Sequence, residues 1–199
     1  QRYWVSVWGV GLFEWQRNTG TFRLYNSENK GLFSNEIFDF DMDREGNLWC
    51  ATWKGLERFD PRTRVCRHII QPAPWNTDGD RVLCVRVGPD GRIWSANNRG
   101  QLVETDPKTG KGRPVRLYKF DGAQFPYYQT WSLTFDRKGR VLLGSPNGLL
   151  RYDPATDTND HILHRTPDLF VSCALDGPDQ RLYVGTSEGV YVLNERDSV

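Results

Sequence analysis

One sequence pattern recurs five times along the chain and constrains its fold more than any other feature. In the clearest copy, Asn47-Leu48-Trp49-Cys50-Ala51-Thr52 is followed by Gly55-Leu56-Glu57-Arg58-Phe59-Asp60-Pro61. The copies carry an aromatic or leucine anchor at Trp4, Trp49, Trp94, Leu142 and Tyr183, so successive anchors are 45, 45, 48 and 41 residues apart. A period of about 40–50 residues built from short strand-like segments is typical of β-propeller blades.

Each copy is predicted to form four short strands. In the second copy they are Glu36–Met42, Leu48–Trp53, Leu56–Phe59 and Val65–Ile69. Turn-forming residues separate them, with Asp43–Gly46 after the first strand, Lys54-Gly55 after the second and Asp60-Pro61 after the third. The sequence therefore predicts an all-β propeller of about five units, with approximate bounds 1–33, 34–79, 80–129, 130–167 and 168–199.

The first unit opens in the second strand of a blade, and the fifth ends after its third strand. We therefore expect an incomplete segment of a larger ring, of the seven-bladed type, or an open arc completed by another chain. An open arc exposes strand edges and apolar blade faces, and these invite association. The expected partners are the remaining blades or a second propeller of the parent protein, or a second copy of the chain in a homodimer.

The amino-acid composition excludes some classes of partner and of structure. The chain has 26 basic and 25 acidic residues, for a formal net charge of +1, which argues against nucleic acid as a partner. Its longest uncharged stretch near the start, Tyr3–Phe13, is much shorter than the roughly 20 residues of a membrane span. The 8 Trp, 8 Tyr and 10 Phe suit short strands packed around a core.

The repeat resembles the two-component regulator propeller repeat. The resemblance rests on three segments: Gly31-Leu32-Phe33-Ser34-Asn35, Asp43-Arg44-Glu45-Gly46-Asn47-Leu48-Trp49-Cys50-Ala51-Thr52 and Gly55-Leu56-Glu57-Arg58-Phe59-Asp60-Pro61. It implies the extracytoplasmic sensor region of a hybrid two-component histidine kinase, a class that often senses products of polysaccharide breakdown. The implied location is the periplasm, or the extracytoplasmic face of the inner membrane, with membrane contact only through the parent protein.

No catalytic or metal-binding constellation is predicted. The run Asp39-x-Asp41-x-Asp43 lacks the Gly and Glu that a calcium loop of EF-hand type needs at its sixth and twelfth positions. The four cysteines have no Cys-x-x-Cys spacing and are expected to be buried free thiols. His161 and His164 lack a third candidate ligand, so neither a metal nor another cofactor is expected.

The candidate binding residues lie on turns and inter-blade loops that a propeller brings to one face. Aromatics that break the repeat are the strongest candidates, although packing of a long loop onto the blades would also account for them. Flat aromatic faces together with amide and guanidinium donors suit a sugar ring and its hydroxyl groups. The predicted ligand-binding residues are Trp53, Lys54, Trp75, Asn97, Asn98, Arg99, Tyr127, Tyr128, Asn147 and Glu188.

The family resemblance implies a non-catalytic sensor module, and the candidate residues suggest that it recognises an oligosaccharide. Two alternatives stay open. A protein-docking scaffold would bind a partner chain on its open face. A propeller lyase or lactonase would need carboxylates or histidines converging from several inner strands, where this chain instead carries residues such as Val85, Leu133 and Leu175.

Overall fold

Five antiparallel sheets, numbered here as blades 1 to 5, follow one another along the chain. The computed structural model describes residues 1–71, 81–118, 129–163 and 169–194. Blades 1 and 2 consist of β1 (Arg2–Val7), β2 (Gly11–Gln16), β3 (Thr21–Tyr25), β4 (Ile37–Met42), β5 (Leu48–Thr52), β6 (Gly55–Asp60) and β7 (Val65–Ile69). The four strands of blade 2 differ from the predicted ones by no more than one residue at either end.

The other three blades repeat this arrangement. They contain β8 (Val82–Val87), β9 (Ile93–Asn97), β10 (Leu102–Thr105), β11 (Gly112–Val115), β12 (Ser132–Phe135), β13 (Val141–Ser145), β14 (Gly148–Asp153), β15 (Thr158–Leu163), β16 (Val171–Asp176), β17 (Leu182–Thr186) and β18 (Gly189–Leu193). Blades 1 and 5 have three strands, the others have four, and the strands of each blade lie in chain order. The described residues contain no helix that could cross a membrane.

Consecutive blades pack through their first strands. The strand β4 lies against β8, β8 against β12, and β12 against β16. Across the four described ranges, no strand of blade 1 packs extensively against a strand of blade 5. The prediction of an all-β, unclosed propeller of five units is confirmed, whereas its place in a larger ring stays a prediction.

The repeat anchors fill the junctions between blades. Trp49 and Trp94 are fully buried, and Trp4 is partly buried against Tyr25 and Phe59. Trp49 packs with residues of blade 3, Trp94 with residues of blade 4, and Leu142 with residues of blade 5. Because each anchor covers the face of the next blade, one large apolar side chain is needed in every unit.

The acidic residue of the first turn fixes the anchor of blade 2. Asp43 is buried, and its Oδ2 accepts a hydrogen bond from Trp49 Nε1 at 2.9 Å. Its Oδ1 accepts from the Asn47 backbone N–H at 2.8 Å, which closes the turn. Asp43 is thus a turn residue, as the sequence indicates, and it also satisfies the only polar atom of a buried indole.

Two carboxylates on β4 join blade 2 to blade 3. Asp39 Oδ2 accepts hydrogen bonds from the Val85 N–H at 3.1 Å and from Arg86 Nη1 at 2.5 Å. Asp41 Oδ2 accepts from the Val87 N–H at 2.8 Å. The strand β8 is the inner edge of its blade, where alternate N–H groups have no neighbouring strand to pair with. Asp39 and Asp41 satisfy two of these groups from the adjacent blade.

All four cysteines are free thiols. Cys50 and Cys84 are buried, and burial raises the pKa of Cys84 to about 12, so this thiol stays protonated. Cys66 is partly buried, while Cys173 is exposed. The expectation that every cysteine is buried is therefore wrong for Cys173, because it lies on the face of blade 5 that points away from blade 4.

We expect Asp39→Ala and Asp41→Ala each to lower the free energy of unfolding by about 1–3 kcal/mol, because each leaves an inner-strand N–H without its partner. Urea denaturation followed by tryptophan fluorescence measures this. Glu45→Ala is the control, because it removes an exposed carboxylate from the same blade. Unfolding midpoints of both variants equal to that of Glu45→Ala would contradict the prediction.

Candidate functional site

At one end of blades 2, 3 and 5, the turn after the second strand meets the residue that precedes the first strand of the same blade. The Trp53 N–H donates to Glu36 O at 3.0 Å, the Asn98 N–H to Arg81 O at 2.9 Å, and the Ser187 N–H to Phe170 O at 2.9 Å. In blade 4 the equivalent turn residue is Pro146, which has no N–H, and the Trp131 N–H donates to Gly144 O instead. We call this surface the rim: Trp8, Glu36, Trp53, Arg81, Asn98, Trp131, Pro146, Phe170 and Ser187.

Three aromatic side chains cluster where the rim passes from blade 1 to blade 2. The ring centroids of Trp8 and Phe38 are 4.8 Å apart, and those of Trp8 and Trp53 are 6.3 Å apart, both in edge-on geometry. Phe38 and Trp53 are stacked at 6.2 Å. Trp8 is 54% exposed and Trp53 41% exposed, so the cluster presents aromatic surface to solvent.

A β-bulge aims Phe38 into this cluster. The pairing of β4 with β5 shifts register between Ile37 and Asp39, so that Phe38 is the extra residue on β4. A bulge bends its strand and redirects a side chain that would otherwise follow the pleat. The same shift occurs in blade 3, where the extra residue is Leu83, which is buried in the core.

Arg81 extends the cluster into blade 3. Its guanidinium carbon lies 3.2 Å from the ring centroid of Trp53, a cation–π contact. Arg81 Nε is buried, and so is Oδ1 of Asn98, the residue whose backbone binds Arg81. Neither atom has a hydrogen-bond partner among the described residues. A donor and an acceptor are thus left unsatisfied beside the aromatic cluster, at a cost that a bound polar ligand would remove.

A short hydroxyl side chain supports the rim turns of blades 2, 4 and 5 from below. The Thr52 hydroxyl accepts from the Lys54 N–H at 3.2 Å and lies 2.9 Å from Gly55 O. Ser145 and Thr186 make the equivalent contacts in blades 4 and 5. In blade 3 the turn between the two strands is longer, and the longer side chain of Asn97 supports it.

Buried Glu57 completes this support in blade 2. Its Oε1 lies 3.1 Å from the Thr52 hydroxyl, and its Oε2 accepts from the Phe33 N–H at 3.0 Å. Burial raises the pKa of Glu57 above its usual value, although these hydrogen bonds oppose the shift. The carboxyl therefore connects the loop before β4 to the turn that carries Trp53.

The blade 3 residues that the sequence predicts as ligand contacts differ from one another in their surroundings. Asn97 is buried, and its Oδ1 accepts from the N–H groups of Arg99 and Gln101 at 3.0 Å each. Its amide is thus engaged in forming the turn. Asn98 and Trp53 are brought together through Arg81, which contacts both.

The other predicted residues are spread along the chain. Lys54 is exposed, and its Nζ donates to Phe33 O at 3.0 Å. Asn147 and Glu188 belong to the corresponding turns of blades 4 and 5, where Glu188 accepts from the Tyr191 hydroxyl at 2.8 Å. Trp75, Tyr127 and Tyr128 lie outside the described residues.

Sequence reasoning missed Phe38 and Arg81. Arg81 immediately precedes a first strand, as Glu36 does, so the repeat could have placed it opposite the turn of its own blade. Phe38 gave no such signal, because a bulge depends on pairing with a second strand and leaves no mark in the alternation of β4. In the described ranges, no three His, Cys, Asp or Glu side chains lie together in a way that could hold a metal ion.

Comparison with known proteins identifies the repeat. Residues 31–54 match the family model described as "Two component regulator propeller". This segment includes the loop before β4, the Asp43 turn and the turn that carries Trp53. One copy of the repeat, in a chain whose fold is a β-propeller, therefore matches the two-component regulator propeller model that the sequence resembles. No curated protein matches the chain in sequence.

Solved structures share the fold at low identity. One is the extracellular domain of BT4673 from B. thetaiotaomicron, which is named as a putative hybrid two-component system. The aligned region covers 95% of this chain and 25% of the solved chain, with 20% identity and a TM-score of 0.81. Another is the extracellular domain of BT3049 from the same organism, also named as a putative hybrid two-component system. Here the aligned region covers 98% of this chain and 26% of the solved chain, with 16% identity and a TM-score of 0.76.

A third similar structure is part of a secretion system. PorZ, a surface component of the type-IX secretion system of Porphyromonas gingivalis, matches 100% of this chain and 31% of its own, with 18% identity and a TM-score of 0.79. The chain thus spans between a quarter and a third of the length of these three solved chains. At such identities the likeness shows the fold alone.

We expect the contribution of Glu57 to stability to decrease as pH rises from about 4.5. A raised pKa means that the folded state favours the protonated carboxyl, so its stabilising effect is complete below the unfolded-state pKa and is lost as pH rises through the folded-state value. Urea unfolding midpoints between pH 4.5 and 8 measure this for wild type and Glu57→Gln. The difference between the two curves isolates Glu57, since all other groups titrate in both proteins.

Glu45→Gln, which neutralises an exposed carboxyl of the same blade, serves as the control and should reproduce the wild-type curve. Parallel curves for wild type and Glu57→Gln would contradict the assignment of a raised pKa to Glu57.

Proposed function

We propose that this chain is a non-catalytic ligand-sensing module of a bacterial two-component sensor, that it works on the extracytoplasmic side of the membrane, and that it recognises an oligosaccharide. Three observations support the sensor assignment: the matched repeat at residues 31–54, the propeller fold, and its likeness to extracellular domains of proteins named as two-component systems. The proposed binding surface is the rim across blades 1 to 3.

The observation that carries the choice of ligand is the aromatic cluster of Trp8, Phe38 and Trp53 beside two unsatisfied polar atoms. A sugar ring has an apolar C–H face that stacks on an indole, and hydroxyl groups at its edge that both donate and accept hydrogen bonds. One hydroxyl would accept from Arg81 Nε and a neighbouring one would donate to Asn98 Oδ1. The other predicted residues, including Trp75, Tyr127 and Tyr128, remain proposed contacts.

The lyase alternative is weakened by how the inner carboxylates are used. Asp39 and Asp41 lie on a first strand, where a propeller enzyme would carry its catalytic groups. Both accept hydrogen bonds from backbone N–H groups of blade 3, and Asp39 is also paired with Arg86. These contacts assign the two carboxylates to joining blades.

The docking alternative gains support from the outer faces of the two terminal blades. On blade 1, Tyr3, Trp15 and Phe22 form a ladder with ring centroids 5.2 and 5.9 Å apart, and Phe22 is 65% exposed. On blade 5, Leu175 and Val190 are exposed. We propose that further blades, a second propeller of the parent protein, or a second copy of this chain covers these faces.

We expect Trp8→Ala and Trp53→Ala to weaken binding of the cognate oligosaccharide by about 1–3 kcal/mol, or roughly 5- to 150-fold in Kd, because each removes a stacking surface. A panel of neutral and acidic oligosaccharides screened by calorimetry first identifies the ligand, and titration of the variants then gives the loss. Arg81→Met and Asn98→Leu should also weaken binding, since each removes one polar contact of similar size.

Trp131→Ala is the matched control, because Trp131 is an exposed rim tryptophan that contacts Phe170, away from the cluster. Full binding by both Trp8→Ala and Trp53→Ala would refute the rim as the sugar site. Failure of the wild-type chain to bind any oligosaccharide would favour the docking scaffold.

We expect the isolated chain to self-associate in sedimentation velocity experiments, with a sedimentation coefficient that rises with concentration. Phe22→Glu and Val190→Glu should reduce this association, because each places a charge on an apolar terminal face. A sedimentation coefficient independent of concentration for the wild-type chain would exclude the homodimer.

A further inference from the structure

One cross-strand pair between the third and fourth strands of a blade recurs with opposite charges. The pairs are Glu14 with Arg23 in blade 1, Glu104 with Arg113 in blade 3, and Arg151 with Asp160 in blade 4. The last two are ion pairs, at 2.6 Å for Arg113 Nη2 to Glu104 Oε2 and 2.5 Å for Arg151 Nη2 to Asp160 Oδ2.

Blade 2 carries two arginines at this position. Arg58 on β6 lies directly opposite Arg67 on β7. Like charges directly opposite each other on a sheet are destabilising. Blade 2 thus forgoes a favourable contact that blades 3 and 4 make with the same geometry.

Neither arginine finds a compensating anion within the part of the chain that the structure describes. The Arg58 guanidinium lies over the buried ring of Trp49, 5.6 Å from its centroid. Arg58 Nε is buried and has no hydrogen-bond partner among the described residues. The ring beneath it is held in place, because its indole N–H is bound to Asp43. Arg58 Nε is therefore a donor with an unsatisfied proton beside a ring that is held in place.

The two arginines line a cleft of about 300 Å³ on the side of blade 2 that faces blade 3. Its lining residues are Asn47, Arg58, Asp60, Thr63, Val65 and Arg67. The one carboxylate there, Asp60, already accepts from the Arg62 N–H at 2.9 Å and from Arg62 Nε at 3.4 Å. Since one water occupies about 30 Å³ in the liquid, the cleft has room for an ion of several atoms.

We infer that this cleft binds an oxyanion, namely a carboxylate, sulfate or phosphate group, between Arg58 and Arg67. Guanidinium groups present forked N–H donors that match the oxygen geometry of these anions. Thr63 adds an exposed hydroxyl to the lining of the same cleft, whereas the amide of Asn47 is buried and donates to Asp43. The bound anion would supply the negative charge that Glu104 and Asp160 supply in blades 3 and 4.

The site is separate from the rim. Asn47 and Thr63 belong to the turns after the first and third strands of blade 2, whereas Trp53 belongs to the turn after the second strand, at the opposite end. Two sources could supply this chemistry, a free inorganic anion and the acidic group of a larger molecule. Inorganic phosphate, inorganic sulfate and glucuronate serve as the three probes that distinguish these sources.

The test is calorimetric titration and thermal unfolding of the whole chain with each probe, at constant ionic strength maintained by chloride. At least one probe should bind saturably and raise Tm by about 2–4 °C. Arg67→Gln and Arg58→Gln should each weaken that binding at least about tenfold, since each loses a charge-assisted hydrogen bond. Arg64→Gln removes the same charge from the neighbouring turn and should bind as wild type does.

Arg67→Glu provides an independent check. It recreates the opposite-charge pair of blade 4, so it should raise Tm without any probe and abolish the rise caused by the anion. Equal shifts in wild type, Arg64→Gln and Arg67→Glu would mean a general salt effect and would overturn the inference. So would the failure of all three probes to bind the wild-type chain.

Discussion

The hydrogen bonds from the N–H groups of β8 to Asp39 and Asp41 are the constraint on which the candidate site depends. Within a blade, backbone pairing holds the strands together, whereas the hydrogen bonds that join blades 2 and 3 through these two carboxylates each need a side chain. Apolar packing of Trp49 against blade 3 is strong but non-directional. The two carboxylates add direction, because each must meet a particular N–H group. The rim cluster needs that direction, since Trp8, Trp53 and Arg81 come from three different blades.

Much of the fold could be predicted because it is encoded locally and repeated. The turn residues and the anchor spacing defined the strands of blade 2 to within one residue. Trp49 and Trp94 were recognised as core because their positions recur. Cys173 was misjudged for the opposite reason. Its strand looks like any other first strand, and its exposure depends on whether another blade covers blade 5, which no local pattern records.

The candidate site was only partly predictable for a related reason. Trp53 and Asn98 could be nominated from their turns, whereas Arg81 and Phe38 join them through a contact between blades and a bulge. Asn97 shows the converse. An amide in a turn suggests a ligand contact, yet the structure uses it to support a turn that is longer than those of the neighbouring blades. Residue type alone does not separate these two roles.

The junction between blades 2 and 3 also bears on how such chains diverge. Asp39 and Asp41 bind mainly to peptide N–H groups, which every residue except proline possesses. Across the junction between blades 4 and 5 the carboxylate is on the following blade, where Asp176 accepts from the Arg137 N–H and also pairs with the Arg137 guanidinium. A unit that supplies such carboxylates can therefore be followed by a neighbour of almost any side-chain sequence. Tandem duplication can then add blades to the array. Rim residues can be substituted after each duplication without a matching substitution on the other side of the junction between blades.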